Sequence, residues 1–230
     1  MSQRITDKYN LHIEEAANNL KNVVRTTPLE LIKSLSESFE ANIYLKREDL
    51  QIVRSYKLRG AYNMISKLSK AASEKGVVCA SAGNHAQGVA YSCNQQQIRG
   101  VIFMPQNPPK QKIKQTRMFG NTFVEIVLSG DTFDDCATAA IAYADKHDMI
   151  FIPPFDDERV IEGQGTIALE IINELKCKVI DYIFLPVGGG GLCSGVGAYF
   201  KDHSPKTKII AVEPSGAACL DLALQMGEPT

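Results

Sequence analysis

A run of four glycines near residue 190 carries the clearest chemical signal in this sequence. The run follows a short apolar stretch and precedes a helical pattern that begins at about Leu192. Glycines leave backbone N–H groups bare, and at a helix N-terminus such groups bind a phosphate dianion without a lysine. A flexible turn without a ligand would not need four glycines in succession. We therefore expect a phosphate to be held by Gly188, Gly189, Gly190, Gly191 and Leu192.

Two better-known phosphate motifs do not fit this run. The dinucleotide pattern G-x-G-x-x-G reaches Cys193 when it is counted from Gly188, and Ser194 when it is counted from Gly189, where a third glycine is required. The Gly-Lys-Ser/Thr of a P-loop does not follow either. The expected site is therefore neither a dinucleotide fingerprint nor a P-loop.

A second loop, residues 81–88, combines glycines with an amide, a hydroxyl and an imidazole just before a helical pattern that starts at about Ala86. Backbone N–H groups at such a position can hold the carboxylate of a ligand, while the Asn84 amide could contact a substituent on a ligand ring. His85 by itself fits a structural hydrogen-bonding role better than that of a general base. The candidate substrate-binding residues are Ser81, Ala82, Gly83, Asn84 and His85.

A third segment opens another helical pattern and contains a lysine, Lys57. Its sequence is Ser55-Tyr56-Lys57-Leu58-Arg59-Gly60-Ala61. Most lysines are solvated surface residues, and composition alone gives no reason to single out this one.

The elements that position these loops can be predicted from the sequence. Short runs of β-branched or aromatic residues, typical of strands, alternate with longer helical patterns. The predicted strands are residues 43–45, 77–80, 101–104, 123–127, 150–152, 182–186 and 208–212. This alternation predicts an α/β fold with a parallel sheet covered on both faces, in which ligands bind beyond the carboxyl ends of the strands. Capping signals predict one helix from Thr27-Pro28 to about Glu37 and another from Thr132.

Composition narrows the class of ligand. The chain has 230 residues, 44% hydrophobic residues and a net charge of −1, which gives no basic excess for nucleic acid or an anionic membrane. A small-molecule substrate is expected instead. No signal peptide is apparent, and residues 182–200 contain Pro186 and six glycines, so no membrane span is expected. Six widely spaced cysteines indicate reduced, mostly buried thiols in a cytoplasmic protein: Cys79, Cys93, Cys136, Cys177, Cys193 and Cys219.

The three segments together resemble one enzyme family. The lysine segment resembles the lysine signature of serine and threonine dehydratases that depend on pyridoxal phosphate (PLP). Residues 81–85 resemble the asparagine loop of that family, and residues 188–192 resemble its phosphate loop, in the same order and spacing. Related cysteine synthases and threonine synthases usually carry Lys-Asp-Arg, where this chain has Lys57-Leu58-Arg59.

The resemblance implies PLP fold type II, similar to the tryptophan synthase β subunit: two open, mostly parallel, twisted sheets with helices on both faces. Residues 1–52 and 151–230 would form the larger, phosphate-binding domain, and residues 53–150 a small domain that clamps the substrate. It also implies a homo-oligomer, a dimer or a tetramer.

The resemblance also implies residue roles. Lys57 would form the Schiff base with PLP and then take the Cα proton, Asn84 would contact the 3′-oxygen of the cofactor, and residues 81–85 would clamp the substrate carboxylate. Threonine would give 2-oxobutyrate and ammonia, the entry to isoleucine synthesis, and serine would give pyruvate.

Three features depart from the family pattern. Members with serine racemase activity carry serine where this chain has Ala82. Some members bind a divalent cation after a Glu-Pro pair, but Ala218 and Cys219 stand where aspartates are expected after Glu213-Pro214, so no metal is expected. The chain stops at Thr230, whereas the family's catalytic domain is longer. We therefore expect lower stability and turnover than in a longer version.

Two other readings remain open from the sequence. One is a different β-elimination or β-replacement on the same scaffold, such as sulfhydrylation of an activated serine, which an assay with threonine against O-acetylserine would separate. The other is a non-catalytic fragment that binds PLP or only a partner chain.

Overall fold

The computed structural model describes residues 5–176 and 178–228. The strands, in chain order, are β1 (Leu29–Leu31), β2 (Tyr44–Lys46), β3 (Val77–Ala80), β4 (Gly100–Met104), β5 (Val124–Leu128), β6 (Ile150–Phe151), β7 (Tyr182–Pro186) and β8 (Lys208–Val212). The helices are α1 (Ile5–Lys8), α2 (Ile13–Asn19), α3 (Lys33–Ser38), α4 (Lys57–Ser66), α5 (Lys70–Lys75), α6 (Asn84–Gln96), α7 (Lys110–Gly120), α8 (Phe133–His147), α9 (Glu158–Leu175), α10 (Gly191–His203) and α11 (Cys219–Met226).

Four parallel strands form the main sheet, in the order β5-β4-β3-β6. Alternate residues of β3 point to opposite faces, so that Val77 and Cys79 join the core beneath α4 and α6, while Val78 and Ala80 join a second core beneath α8. Burial on both faces explains why this strand is apolar throughout its length. The expected parallel α/β sheet with helices on both faces is confirmed.

A second parallel pair, β7 and β8, packs one face against α9 and α10 through residues such as Leu185 and Ile183. Its other face, with Tyr182 and Phe184, is exposed. The strands β1 and β2 form a separate antiparallel pair.

The predicted helix from Thr27 is wrong at its start. Residues 29–31 form β1, which pairs with β2, and helix α3 begins only at Lys33. The Thr27 hydroxyl that was expected to cap the helix donates instead to Glu48 at 2.6 Å, and the Thr27 carbonyl accepts from Lys46 at 2.6 Å. Tertiary partners therefore outweigh a local capping signal.

The other predicted cap is confirmed. The side chain of Thr132 accepts a hydrogen bond from the Asp135 N–H, and the Asp135 carboxylate accepts one from the Thr132 N–H, which together form a capping box at the start of α8.

The cysteines agree in part with expectation. Cys79, Cys93 and Cys136 are buried free thiols, Cys193 is half-buried and Cys219 is exposed. Cys177 lies outside the described residues. Within the described ranges, every helix is too short or too polar to cross a membrane.

Helix α9 fixes the relative positions of α4 and α10. Gly163 lies against α4, where an added Cβ would be 2.5 Å from the Arg59 carbonyl oxygen. Two residues later, Gly165 meets Gly195 of α10 so closely that a Cβ on Gly195 would overlap the backbone of α9. The helices that begin with Lys57 and Gly191 are thus both packed, backbone to backbone, on one helix.

Candidate active site

The order in which strands are added to the main sheet reverses at β3, since β4 and β5 lie on one side of it and β6 lies on the other. At such a switch point the loops after neighbouring parallel strands open a crevice at the carboxyl edge. The loop after β3 is residues 81–83, and the loop after β6 begins at Ile152. Ile152 donates its N–H to the Val78 carbonyl at 2.8 Å, which holds the start of this loop against β3.

Lys57 begins helix α4 beside this crevice. Its Nζ donates to the Pro154 carbonyl at 2.6 Å and lies 5.6 Å from the centre of the Tyr56 ring. In the described part of the chain, no salt bridge to a carboxylate is formed by Lys57. Burial therefore disfavours the ammonium without compensation and lowers the pKa of Lys57 from 10.5 to about 8. A substantial fraction of this amine is neutral near physiological pH.

This lowered pKa predicts how Lys57 reacts in the cofactor-free protein. Its acetylation is expected to increase with pH and to be half-maximal near pH 8, because only the neutral amine is nucleophilic. Burial of the charged amine also costs folding stability. Between about pH 8 and 10.5 the unfolded chain binds more protons at this lysine than the folded protein does, so this cost decreases and stability increases as pH rises.

Competitive labelling with a trace of acetic anhydride, followed by mass spectrometry, measures this profile. The exposed Lys70 in the same sample serves as the reference residue. A midpoint at the ordinary lysine value of 10.5 would show that the amine is not desolvated.

The asparagine loop sits where the sequence places it. Helix α6 begins at Asn84, two residues earlier than expected, and Asn84 is exposed toward solvent. Ser81 Oγ accepts from the Gly83 N–H at 3.1 Å, which shapes the turn. Ala82 is half-buried against the main core.

His85 is buried, and its Nε2 lies 2.9 Å from the carbonyl oxygen of Ile152, to which the ring donates. Burial lowers its pKa to about 4, the bond to Ile152 partly opposes this, and the charge of Lys57 lowers it further. His85 is therefore a neutral hydrogen-bond donor that joins the loop after β3 to the loop after β6. This agrees with the structural role favoured for its side chain.

The glycine run forms the turn between β7 and α10. Gly190 has φ +84°, a left-handed conformation that glycine adopts without strain, and α10 starts at Gly191. An added Cβ at Gly188 or Gly190 would meet no atom within 4 Å, so this side of the turn is open. Open space at a helix N-terminus with bare N–H groups suits a phosphate.

The opposite side of the turn is closed by Phe155. A Cβ on Gly189 would overlap the Phe155 ring, and a Cβ on Gly191 would be 2.8 Å from the Phe155 carbonyl oxygen. The preceding residue, Pro154, is the one that accepts from Lys57. The segment after β6 therefore contacts the lysine, the asparagine loop and the glycine turn, and brings the three together.

Sequence reasoning missed this segment, although a signal was present. Residues 150–152 are predicted as a strand and functional loops are expected to follow strands, which points to residues 153–155. Pro153 and Pro154 restrict the backbone there.

Sequence reasoning also missed a buried charge cluster around Arg59, which lies on the same helix as Lys57. Arg59, with a side chain only 1% exposed, pairs with Glu48 at 2.8 Å and with Glu170 at 2.7 Å. Lys46 pairs with Glu170 at 2.6 Å. Burial alone would raise the pKa of Glu48, but its bonds to Arg59 outweigh this and leave the pKa below its ordinary value. The cluster ties α4 to β2 and α9.

Glu213 does not belong to this crevice. Its carboxylate accepts from the N–H groups of Leu220 at 2.9 Å and Asp221 at 3.0 Å, so it caps α11. No cluster of three or more His, Cys, Asp or Glu side chains that could hold a metal is found in the described ranges.

The residues of the crevice fit PLP. The cofactor has an aldehyde that a lysine amine can bind and a phosphate at the other end of the molecule. The crevice offers a desolvated lysine and, across residues 154–155, an open glycine turn at a helix N-terminus.

Comparison with known proteins agrees with this chemistry. A family model described as pyridoxal-phosphate dependent enzyme matches residues 20–230. The biosynthetic L-threonine dehydratase IlvA of Halalkalibacterium halodurans is 54% identical over 213 residues, which cover 93% of this chain and 51% of that protein. The chain thus spans about half the length of the curated relatives it matches.

Solved structures show the same fold. The processed form of threonine deaminase isoform 2 from Solanum lycopersicum superposes with a TM-score of 0.88 at 46% identity, covering 95% of this chain and 64% of that one. Maize serine racemase gives a TM-score of 0.89 at 30% identity, covering 95% and 65%. The expected type II fold is confirmed, and the chain belongs to the family of pyridoxal-phosphate-dependent enzymes.

Proposed function

We propose that this protein is a threonine ammonia-lyase, which converts L-threonine to 2-oxobutyrate and ammonia and, as a secondary activity, L-serine to pyruvate. The observation that carries the proposal is the desolvated Lys57 amine, joined through residues 154–155 to an open glycine turn. The names of the relatives, threonine dehydratase and threonine deaminase, select the substrate. In the cell this reaction would open isoleucine biosynthesis.

Each group of residues in the crevice has its own role in the proposed reaction. When bound, PLP supplies an electron sink for the carbon atom that loses its proton. The N–H groups of Gly188, Gly189, Gly190, Gly191 and Leu192 hold the phosphate. Lys57 would hold the cofactor through its amine, and the same amine, when free, would take the Cα proton of the substrate. A pKa of about 8 lets it be neutral often enough to act as a base.

The asparagine loop orients the substrate. We assign Asn84 to the ring oxygen of the cofactor, and the backbone N–H groups of residues 81–85 to the substrate carboxylate, because helix α6 begins there. His85 stays neutral and adds no charge to the site. Loss of the Cα proton and the β-hydroxyl removes one water. Hydrolysis then exchanges nitrogen for oxygen and releases ammonia.

The direct test is an assay of the purified protein with excess PLP. We expect 2-oxobutyrate and ammonia in equal amounts from L-threonine, and slower pyruvate formation from L-serine. A faster reaction with O-acetylserine and sulfide would favour the β-replacement alternative instead. PLP binding without any product from threonine or O-acetylserine would favour the non-catalytic alternative.

Ala82 predicts the stereochemical outcome. Its methyl group cannot return a proton to the opposite face of Cα, so the enzyme should eliminate water and form little D-serine from L-serine. The substitution Ala82→Ser is expected to increase D-serine formation by about a hundredfold, the lower end of the range for one acid–base group. Chiral chromatography measures it, and Ala71→Ser, at an exposed position of α5, is the control. Racemisation by the wild type at a rate comparable with elimination would contradict this role of Ala82.

The larger organisation follows from the same proposal. We assign residues 53–150 to a small domain that clamps the substrate, since β3, β4, β5 and α6 lie within it. Residues 1–52 and 151–230 would form the phosphate-binding domain. We also propose that the enzyme acts in the cytoplasm as a homo-oligomer, a dimer or a tetramer, on a small amino-acid substrate, without nucleic-acid or membrane partners.

A further inference from the structure

We propose that Phe155 is a positioning residue, which fixes the glycine turn at a set distance from Lys57. The inference rests on the proposed function, because it takes residues 188–192 as the phosphate site. It assigns a separate task to a residue outside the three sequence motifs.

The first observation is the close approach of Phe155 to two of the four glycines. Its ring fills the position that a Gly189 side chain would occupy, and its backbone closes the space beside Gly191. Gly188 and Gly190 face open space instead. The turn therefore has one side that is packed against Phe155 and one side that remains free for an anion.

The second observation is the anchoring of the segment that carries Phe155. Ile152 is held by the Val78 carbonyl at 2.8 Å and by His85 at 2.9 Å. After Phe155, Asp157 Oδ1 accepts from the Arg159 N–H at 2.9 Å and caps α9. Phe155 is thus presented from a segment that is fixed on both sides.

The third observation is that Pro154, next to Phe155, accepts the hydrogen bond from Lys57 at 2.6 Å. The two groups that would hold opposite ends of the cofactor therefore both contact one dipeptide. Four consecutive glycines have high conformational entropy, and a turn that must be ordered on binding loses affinity. The Phe155 ring orders the turn beforehand, so its loss should weaken the phosphate end and leave the lysine end unchanged.

This difference defines the experiment, which compares PLP with pyridoxal, a probe that lacks the phosphate. In Phe155→Ala the dissociation constant of PLP is expected to rise about tenfold, while that of pyridoxal changes less than about twofold. Absorbance titration gives both constants, and borohydride reduction followed by mass spectrometry confirms attachment at Lys57. Phe155→Leu, which keeps an apolar side chain, should restore part of the loss.

Phe123→Ala is the matched control, because it removes a ring that is also half-buried but packs against the main core. It should leave the ratio of the two constants unchanged. An equal loss of PLP and pyridoxal binding in Phe155→Ala, or no loss of either, overturns the inference. A wild type that binds pyridoxal as tightly as PLP refutes the assignment of the glycine turn itself, which is a failure of the proposed function.

A double variant tests the contact directly. Gly189→Ala places a methyl group into the Phe155 ring, so alone it should displace the turn and weaken PLP binding. In the Phe155→Ala background the methyl group has room, and Gly189→Ala should cost little more. Additive losses would show that the ring and the turn act independently.

Discussion

The variant Lys57→Ala is expected to lose threonine turnover by at least about a thousandfold, because the proposed function gives this amine both the covalent link and the proton transfer. The partly buried amine has no salt bridge to a carboxylate in the described ranges, so its removal leaves no acidic partner unpaired. Folding should therefore be retained. The measurements are 2-oxobutyrate release from threonine and the visible absorbance of the PLP complex.

Lys70→Ala, on the exposed side of α5, is the control and should keep both signals. Borohydride reduction of the wild-type PLP complex should label Lys57, and mass spectrometry identifies the labelled residue. A label on Lys46 or Lys67 would refute the assignment of Lys57. Turnover in Lys57→Ala within tenfold of wild type would refute it as well.

The second large effect concerns stability and the buried charge cluster. Arg59→Met is expected to lower the free energy of unfolding by about 3–5 kcal/mol, because it leaves Glu48 and Glu170 buried without their arginine. Arg59 accounts for the strongest of the contacts that lower the pKa of Glu48 below its ordinary 4.5. The folded protein therefore binds fewer protons there than the unfolded chain, and this part of the stability is lost as pH falls below about 4.5.

Urea unfolding at neutral pH measures the loss in stability. The control is Arg99→Met, because Arg99 pairs with Glu125 at 3.5 Å with both side chains more than half exposed. Exposed pairs contribute about 0–1 kcal/mol, so this control should be close to wild type. Similar losses in the two variants would show that the Arg59 cluster is no more stabilising than a surface ion pair. Arg59→Met should also become less sensitive to acid than wild type.

The sequence alone determined the parallel sheet. Strands β3, β7 and β8 begin and end at the predicted residues. In β3 the reason is burial on both faces, which requires an uninterrupted apolar run. The Thr132 capping box formed as expected, since its two hydrogen bonds are local. The glycine run and the loop that carries Asn84 could be picked out from local sequence, because glycines before a helical pattern leave a local signature. Lys57 was singled out only by the resemblance of its segment to a family signature.

Tertiary structure decided what local signals could not. Thr27 has a good helix-capping sequence, yet it lies outside any helix and is held there by Glu48 and Lys46. Glu48 and Glu170, the partners of Arg59, are 11 and 111 residues away from it in the sequence, so no local pattern predicts the cluster. Long-range pairing of this kind depends on how helices pack.

The geometry of the site was decided in the same way. The sequence named the lysine, the asparagine loop and the glycine run as separate segments, but not what joins them. Residues 152–155 join them because parallel strands β3 and β6 are neighbours, which brings the loops at their carboxyl ends to one edge of the sheet. The sequence determines which reactive groups are present. The distances between these groups depend on which strands pair and on how closely the glycines allow the helices to pack.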